Sequence, residues 1–519
     1  MVKIASNKDG FKDVPNPYWI VSTAETNYPV LDEDITVDVA IVGGGIVGIT
    51  SAYLLVNEGL KVAVIEANKI LHGTTGHTTA KITSQHSLIY ARLVKEKGED
   101  LAHQYADANE TAIHTIADLI EKNNIDCDFM WRPAYIYTQS DRYLRDIEDE
   151  AEAASRLGIQ ASLLNEIPLP FAVKSALRYD GQAQFHPLKY LKALVPQILD
   201  KGSYIFEQTR AINIEKGKDY LVITHTGKKV SAPRVIVASH FPFFDGGGLY
   251  FTRIYNERSY VIGATINEKF PEGMFISAED PTRSLRSQSF QDGELILIGG
   301  EHHKTGHCEN TNLHYSNLVE YAKNTFQVQD IPYRWSTQDC MTLDGIPYVG
   351  NLTSHSPDLY VATGFGKWGM SNSMAAAMIL RDLINKGDST WLPVYNPSRF
   401  PDVGEFLVQN LDVAKSYISG KLNHISENEE IGKGEAKVIS IDGKKTGAYR
   451  DENDELHLLD ITCTHVGCEL EWNSAERSWD CPCHGSRFGY GGNIIEGPAL
   501  NSLKPIEEGP NKVEPNVFQ

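Results

Sequence analysis

No apolar run in this 519-residue chain reaches the length that crosses a bilayer, and residues 1–14 are polar and charged without the apolar core of a secretion signal. The expectation is a cytoplasmic protein with no membrane span. Basic charge is scarce: 48 Lys and Arg stand against 68 Asp and Glu, for a formal net charge of -20 and a pI near 5.3. A nucleic acid or an anionic membrane needs a basic face, so neither is an expected partner. No internal repeat or low-complexity segment appears. Cysteine is rare too. Of seven, Cys127, Cys308 and Cys340 are scattered as in a reducing compartment, and the other four crowd into residues 463–483.

Those four belong to two short loops, Cys463-Thr464-His465-Val466-Gly467-Cys468 and Cys481-Pro482-Cys483-His484-Gly485-Ser486. Two thiolates and two imidazoles, offered as Cys-x-His and Cys-x-x-His, suit a [2Fe-2S] cluster with Cys on one iron and His on the other. Structural zinc also accepts a Cys2His2 set, but it leaves one cysteine per loop unused. The double-loop pattern resembles the Rieske iron-sulfur family at every defining position. The resemblance implies Cys463, His465, Cys481 and His484 as cluster ligands, a Cys468–Cys483 disulfide joining the loops, and Gly497-Pro498 covering a third side. It also implies that Ser486 donates to a bridging sulfide. High-potential members carry a Tyr two positions later; here Phe488 stands instead, and one donor fewer to sulfur lowers the expected potential.

A second pattern opens the chain. Residues 36–42 read as an apolar strand, Gly43-Gly44-Gly45-Ile46-Val47-Gly48 as a tight turn, 49–58 as a helix, and 61–65 as a strand ending at Glu66. Glycines let a pyrophosphate reach the backbone at a helix N-terminus, and the acid takes a ribose hydroxyl while disfavouring a 2'-phosphate. After it come Gly73-Thr74-Thr75-Gly76-His77-Thr78-Thr79-Ala80, the strand 235–238, residues 343–350, and Gly364-Phe365-Gly366-Lys367-Trp368-Gly369-Met370. This set resembles the D-amino-acid-oxidase-like FAD-dependent oxidoreductases over roughly residues 36–390.

The resemblance implies FAD at Gly43, Gly45, Ile46, Val47, Gly48, Glu66, Thr74, Thr75, His77, Thr78, Ala238, Gly345, Gly364, Gly366, Lys367, Trp368, Gly369 and Met370. Residues 364–369 also spell GxGxxG, yet no strand ending in an acid follows, so one dinucleotide is expected rather than two. In related dehydrogenases a His at the position of His77 is bonded to the flavin; with Gly76 in place of their Trp, a non-covalent His is expected here.

The expected architecture is an α/β two-lobed flavoprotein followed by a small all-β Rieske domain. A Rossmann-type FAD lobe would take about 36–90, 180–240 and 330–390, and a mixed-sheet substrate lobe about 91–179 and 241–329. An N-terminal extension (1–35), a linker (396–434) and the cluster domain (435–519) complete it. Residues 87–123 read as helix, and 129–138, 253–265 and 283–297 as strands over the substrate. Arg253, Tyr260, Arg283 and Arg286 lie in that sheet, where one Arg could clamp a carboxylate, although a structural role is the simpler reading of each.

The expected function is oxidation of an amine or amino-acid-like substrate at FAD. Electrons would then leave singly through the cluster to an external protein or quinone. The alternative is an electron-transfer component that relays electrons between protein partners without a small-molecule substrate of its own. A Rieske oxygenase fails on length, because only about thirty residues follow Ser486.

Overall fold

A computed structural model describes residues 15–399, 403–422, 430–441 and 443–506. The chain divides into two compact units: residues 1–304 with 312–407, and residues 305–311 with 408–519.

The first unit is built around two large sheets, beside a four-stranded and a three-stranded one. The dinucleotide sheet orders its strands Tyr204–Phe206, Val62–Ile65, Val39–Val42, Arg234–Val237, Leu359–Thr363 and Tyr348–Asn351. The first five run parallel and the last is antiparallel. Val39–Val42, Val62–Ile65 and Leu359–Thr363 are buried throughout, as strands covered on both faces must be. The helix Ile46–Asn57 covers one face and starts directly after Gly45, three residues before the expected 49. That shift sets the helix N-terminus at the glycine turn itself.

The second sheet has eight strands, in the order Val328–Thr342, Ile254–Ile266, Gly293–Lys304, Arg283–Phe290, Met274–Ser277, Ala134–Thr138, Ser175–Tyr179 and Ala161–Leu164. The expected strand 283–297 is in fact a hairpin whose arms Arg283–Phe290 and Gly293–Lys304 pair antiparallel. The expected helix 87–123 is two helices, Tyr90–Lys97 and Glu99–Lys122, broken at Gly98 with φ +86°. Part of the supposed N-terminal extension belongs to the core: Trp19, in the short helix Tyr18–Val21, is fully buried. Among the described residues no helix is long and apolar enough to cross a membrane.

The second unit holds a three-stranded sheet (Ala436–Ile441, Lys444–Arg450, Leu456–Asp460) and a four-stranded one (Glu471–Asn473, Ser478–Asp480, Arg487–Gly489, Ile494–Glu496). Arg487 binds the latter together, reaching Asp480 at 3.1 Å and Glu496 at 3.3 Å. The stretch expected as a linker contains a helix, Val403–Leu422, and the boundary between units falls at 407/408 rather than 434/435. Residues 507–519 of the expected cluster domain lie outside the described residues.

Candidate functional sites

In the first unit the glycine turn is shaped by close backbone approach. A β-carbon on Gly48 would stand 1.9 Å from the Gly43 carbonyl oxygen, and one on Gly43, at φ +112°, would stand 2.4 Å from that of Ala238. Helix and strand can meet this closely only without side chains. The helix carries no acid in its first turn and has Gly45 at its cap, so apart from the Ile46 N–H its positive end remains available to an anion. Ile46 N–H donates to Thr75 Oγ1 at 3.0 Å, and Gly44 N–H donates to Glu66 Oε2 at 2.8 Å. Val47 is buried behind the turn. Burial pushes the Glu66 carboxyl pKa up, while N–H donation from Asn68 and Gly44 works against that rise. A bare helix end, a shape-forced glycine turn and an acid at the end of the second strand fit a dinucleotide.

The remaining expected FAD segments converge by hydrogen bonding. The Gln338 carbonyl accepts from Thr74 Oγ1 at 3.2 Å and from His240 Nε2 at 2.9 Å. Gly366 N–H donates to the Cys340 carbonyl at 2.9 Å. Gly364 leaves no space for a β-carbon, which would meet Thr342 at 2.2 Å, and one on Gly345 would meet Arg92 at 2.5 Å. Lys367 reaches Ser259 at 2.9 Å, Glu257 at 3.1 Å and Asp339 at 3.5 Å. Trp368 caps the helix Gly369–Lys386, in which Met370 is buried, and stacks on His86 at 5.1 Å.

The strip from His77 to Ala80 is held carbonyl by carbonyl. Trp335 Nε1 donates to His77 O at 2.8 Å, Trp19 Nε1 to Thr78 O at 2.6 Å, and Arg286 Nη1 to Thr79 O at 3.1 Å and Ala80 O at 2.6 Å. His77 Nδ1 donates to Gly73 O at 2.8 Å. At Gly76 any β-carbon would strike Leu71 O at 2.8 Å and Ile20 at 2.9 Å, so the N-terminal segment occupies the space a larger residue would need.

The four suggested substrate residues have other work. Arg286 is fully buried and spends its donors on backbone carbonyls, including those of Thr79 and Ala80. Arg253 donates to Pro397 O at 2.7 Å and lies over Tyr250 and Tyr348. Tyr260 stacks on His303 and His314, and Arg283 pairs with Glu301 and lies over Tyr321. Strand alternation explains the last two. Ser284 and Arg286 face the strip, whereas Arg283 and Tyr260 point toward the helix Asn312–Thr325 on the other face. Lys81, at the end of the strip, was not singled out in the sequence because only its three-dimensional surroundings distinguish it.

In the second unit the two cysteine loops come together. Cys468 and Cys483 form a disulfide, and Cys463 and Cys481 are free and buried. The His465 and His484 rings lie 5.1 Å apart, nearly perpendicular. The His465 and Val466 N–H groups and the Ser486 hydroxyl donate to the Cys463 sulfur, and the His484 and Cys483 N–H groups donate to that of Cys481. Donors aimed at sulfur are what a thiolate bound to iron requires, so the residues present fit the cluster. Ser486 Oγ also accepts from Ala499 N–H at 3.1 Å, which anchors the segment after Gly497-Pro498. Phe488 is fully buried in the same core and brings no donor. Residues of the helix Val403–Leu422, among them Val413 and Tyr417, line a groove of about 380 Å³ with Val466, Cys468 and His484.

A family model of FAD-dependent oxidoreductases matches residues 38–383, and a Rieske [2Fe-2S] domain model matches residues 421–507. The chain is 44% identical to a Bacillus subtilis (strain 168) protein described as a Rieske 2Fe-2S iron-sulfur protein, YhfW, over 97% of this chain and 99% of the relative. It is 25% identical to gamma-glutamylputrescine oxidoreductase of Escherichia coli (strain K12), over 70% of this chain and 86% of the relative. Glycine oxidase of Geobacillus kaustophilus superposes with a TM-score of 0.61 at 18% identity, covering 71% of this chain and all of that one. The chain therefore belongs to the FAD-dependent oxidoreductase family and carries a C-terminal Rieske [2Fe-2S] domain.

Proposed function

We propose that the protein is a cytoplasmic dehydrogenase that oxidises an amine or amino-acid-like substrate and passes the electrons singly to an external acceptor. The observation that carries the reading is the presence in one chain of a dinucleotide cradle and of a buried, donor-lined cysteine pair. When bound, FAD supplies two-electron oxidation and the cluster one-electron transfer. Gly43, Gly45, Ile46, Val47 and Gly48 would hold the pyrophosphate, Glu66 the ribose, and Thr74, Thr75, His77, Thr78, Ala238, Gly345, Gly364, Gly366, Lys367, Trp368, Gly369 and Met370 the rest of FAD. Cys463, His465, Cys481 and His484 would ligate the cluster, whose electrons would leave to a protein or quinone.

The amine class is supported by the relative named for gamma-glutamylputrescine. The test is anaerobic mixing of the purified protein with amines and amino acids. Bleaching of the flavin by one of them supports the reading, and bleaching by a chemical reductant alone counts against it. One observation favours a relay between protein partners instead: all four substrate-sheet candidates, Arg253, Tyr260, Arg283 and Arg286, are engaged in structural contacts. Under that alternative a reduced protein partner, and no small molecule, bleaches the flavin.

A further inference from the structure

Lys81 leaves the strip at its C-terminal end and sends its ammonium into the sheet wall. Nζ meets the Ser284 hydroxyl and, at 3.4 Å, the Phe275 carbonyl. Neither partner carries a charge. The charged group facing it is a like one, Arg286, two residues along the same strand as Ser284. In a three-stranded sheet of Lys81–Ile82, Ala183–Gln184 and Met130–Trp131, the antiparallel partner of Lys81 is Gln184, and cross-strand partners share a face. Gln184 is 1% exposed; its Nε2 donates to Ser287 O at 2.7 Å, and its Oε1 is buried with no hydrogen-bond partner. Among the described residues, the wall beside the strip thus holds an amine without a counter-ion and, across from it, an amide oxygen without a donor. Asp128 interacts with Arg286 and is held by Gln288 Nε2 and Lys189 Nζ, which donate to it at 3.1 and 2.9 Å.

An unsatisfied buried acceptor costs free energy that a ligand's N–H group recovers. An amine gives up hydride only when its nitrogen lone pair is free, whereas most alkylamines reach the protein as ammonium ions. The wall therefore offers what such a substrate lacks: an acceptor to orient its N–H and a neutral base to remove its extra proton.

We propose that Lys81 is the proton acceptor for the bound substrate, with Gln184 Oε1 accepting a hydrogen bond from the same nitrogen. This rests on the amine reading above. In the step, the substrate's ammonium N–H bond breaks, an N–H bond forms on the neutral Lys81 Nζ, and the freed electron pair stays on the substrate nitrogen. No electron leaves the substrate in this step. Burial, reinforced by Arg286, lowers the Lys81 pKa to about 7, so a large neutral fraction is present at neutral pH.

The test uses the full-length protein carrying both cofactors, as wild type, K81M and K81R. Glycine, sarcosine, L-proline and putrescine serve as probes of anaerobic flavin bleaching between pH 5.5 and 9, beside a pH titration of the oxidised flavin spectrum without any probe. In wild type the bleaching rate rises through a single ionisation near neutral pH, and the probe-free spectrum shifts over the same range. K81M bleaches about 10²-fold more slowly at pH 7 and loses both inflections. K81R, which stays charged, loses them too. An unchanged pH profile in K81M, or a wild-type spectrum that does not titrate, overturns the Lys81 assignment alone. Failure of every probe to bleach wild type, with the titration present in wild type and lost in K81M, overturns the amine reading and the role of Lys81 with it.

Discussion

Gly48 and Ser486 illustrate how far single residues carry the account. In G48A the new β-carbon meets the Gly43 carbonyl oxygen, a backbone atom that cannot step aside. Overpacking of this kind costs roughly 1–3 kcal/mol. The variant should lose FAD on gel filtration and melt earlier than wild type. In S486A the Cys463 sulfur loses a donor, and the cluster potential should fall. In F488Y it should rise, if the added hydroxyl reaches sulfur. One hydrogen bond of about 1 kcal/mol corresponds to roughly 40 mV for a one-electron couple. Potentiometric titration of both variants measures it, and an unshifted S486A would contradict the role given to Ser486.

The cysteine and histidine positions could be read from the sequence because ligand spacing is local. The roles of Arg253, Tyr260, Arg283 and Arg286 could not. Which face of a sheet a residue occupies depends on pairing to distant strands, and burial then decided what each side chain could reach. Lys81 and Gln184 were hidden for the same reason. Nothing in their sequence neighbours announces a missing counter-ion or a missing donor.

Among the elements, the turn through Leu343-Asp344-Gly345 depends on one buried ion pair. Arg399 grips Asp344 with two bonds, at 2.8 and 2.9 Å, and Lys97 adds a third contact at 3.4 Å. Burial alone would raise the Asp344 pKa, but Arg399 and then Lys97 outweigh it and hold it down at about 2. A folded pKa below the unfolded one gives stability that is present above about pH 4 and lost as pH falls toward about 2. The amount is roughly 2 kcal/mol. D344N leaves the Arg399 charge buried without its partner and should cost about 3–5 kcal/mol. Flavin fluorescence during acid and urea titration should show both effects; an acid transition unchanged in D344N would contradict the pairing.

Element types were largely legible, since buried strands such as Leu359–Thr363 and the helix Gly369–Lys386 announce themselves by apolar runs and periodicity. Breaks were less so. The helix pair around Gly98 and the hairpin turn at 291–292 each interrupt a pattern that reads as continuous. The helix Val403–Leu422 reads in the sequence as an amphipathic tether; its apolar stripe Leu407, Leu411 and Ile418, at i, i+4 and i+11, is exposed, while Val413 on another side packs on the cluster core.

At the scale of the whole molecule, the two units place a two-electron centre and a one-electron centre on one polypeptide, and the central claim is that electrons run from substrate through the first to the second. C481S, which removes a proposed ligand, should lose the cluster while the flavin still bleaches with substrate, and turnover with a one-electron acceptor should collapse. The most direct measurement is freeze-quench EPR of the wild-type protein after anaerobic mixing with a substrate that bleaches its flavin. The account predicts a reduced Rieske signal that grows as the flavin gives up one of its two electrons, one electron per cluster. A flavin that stays fully reduced beside an oxidised, EPR-silent cluster would contradict it.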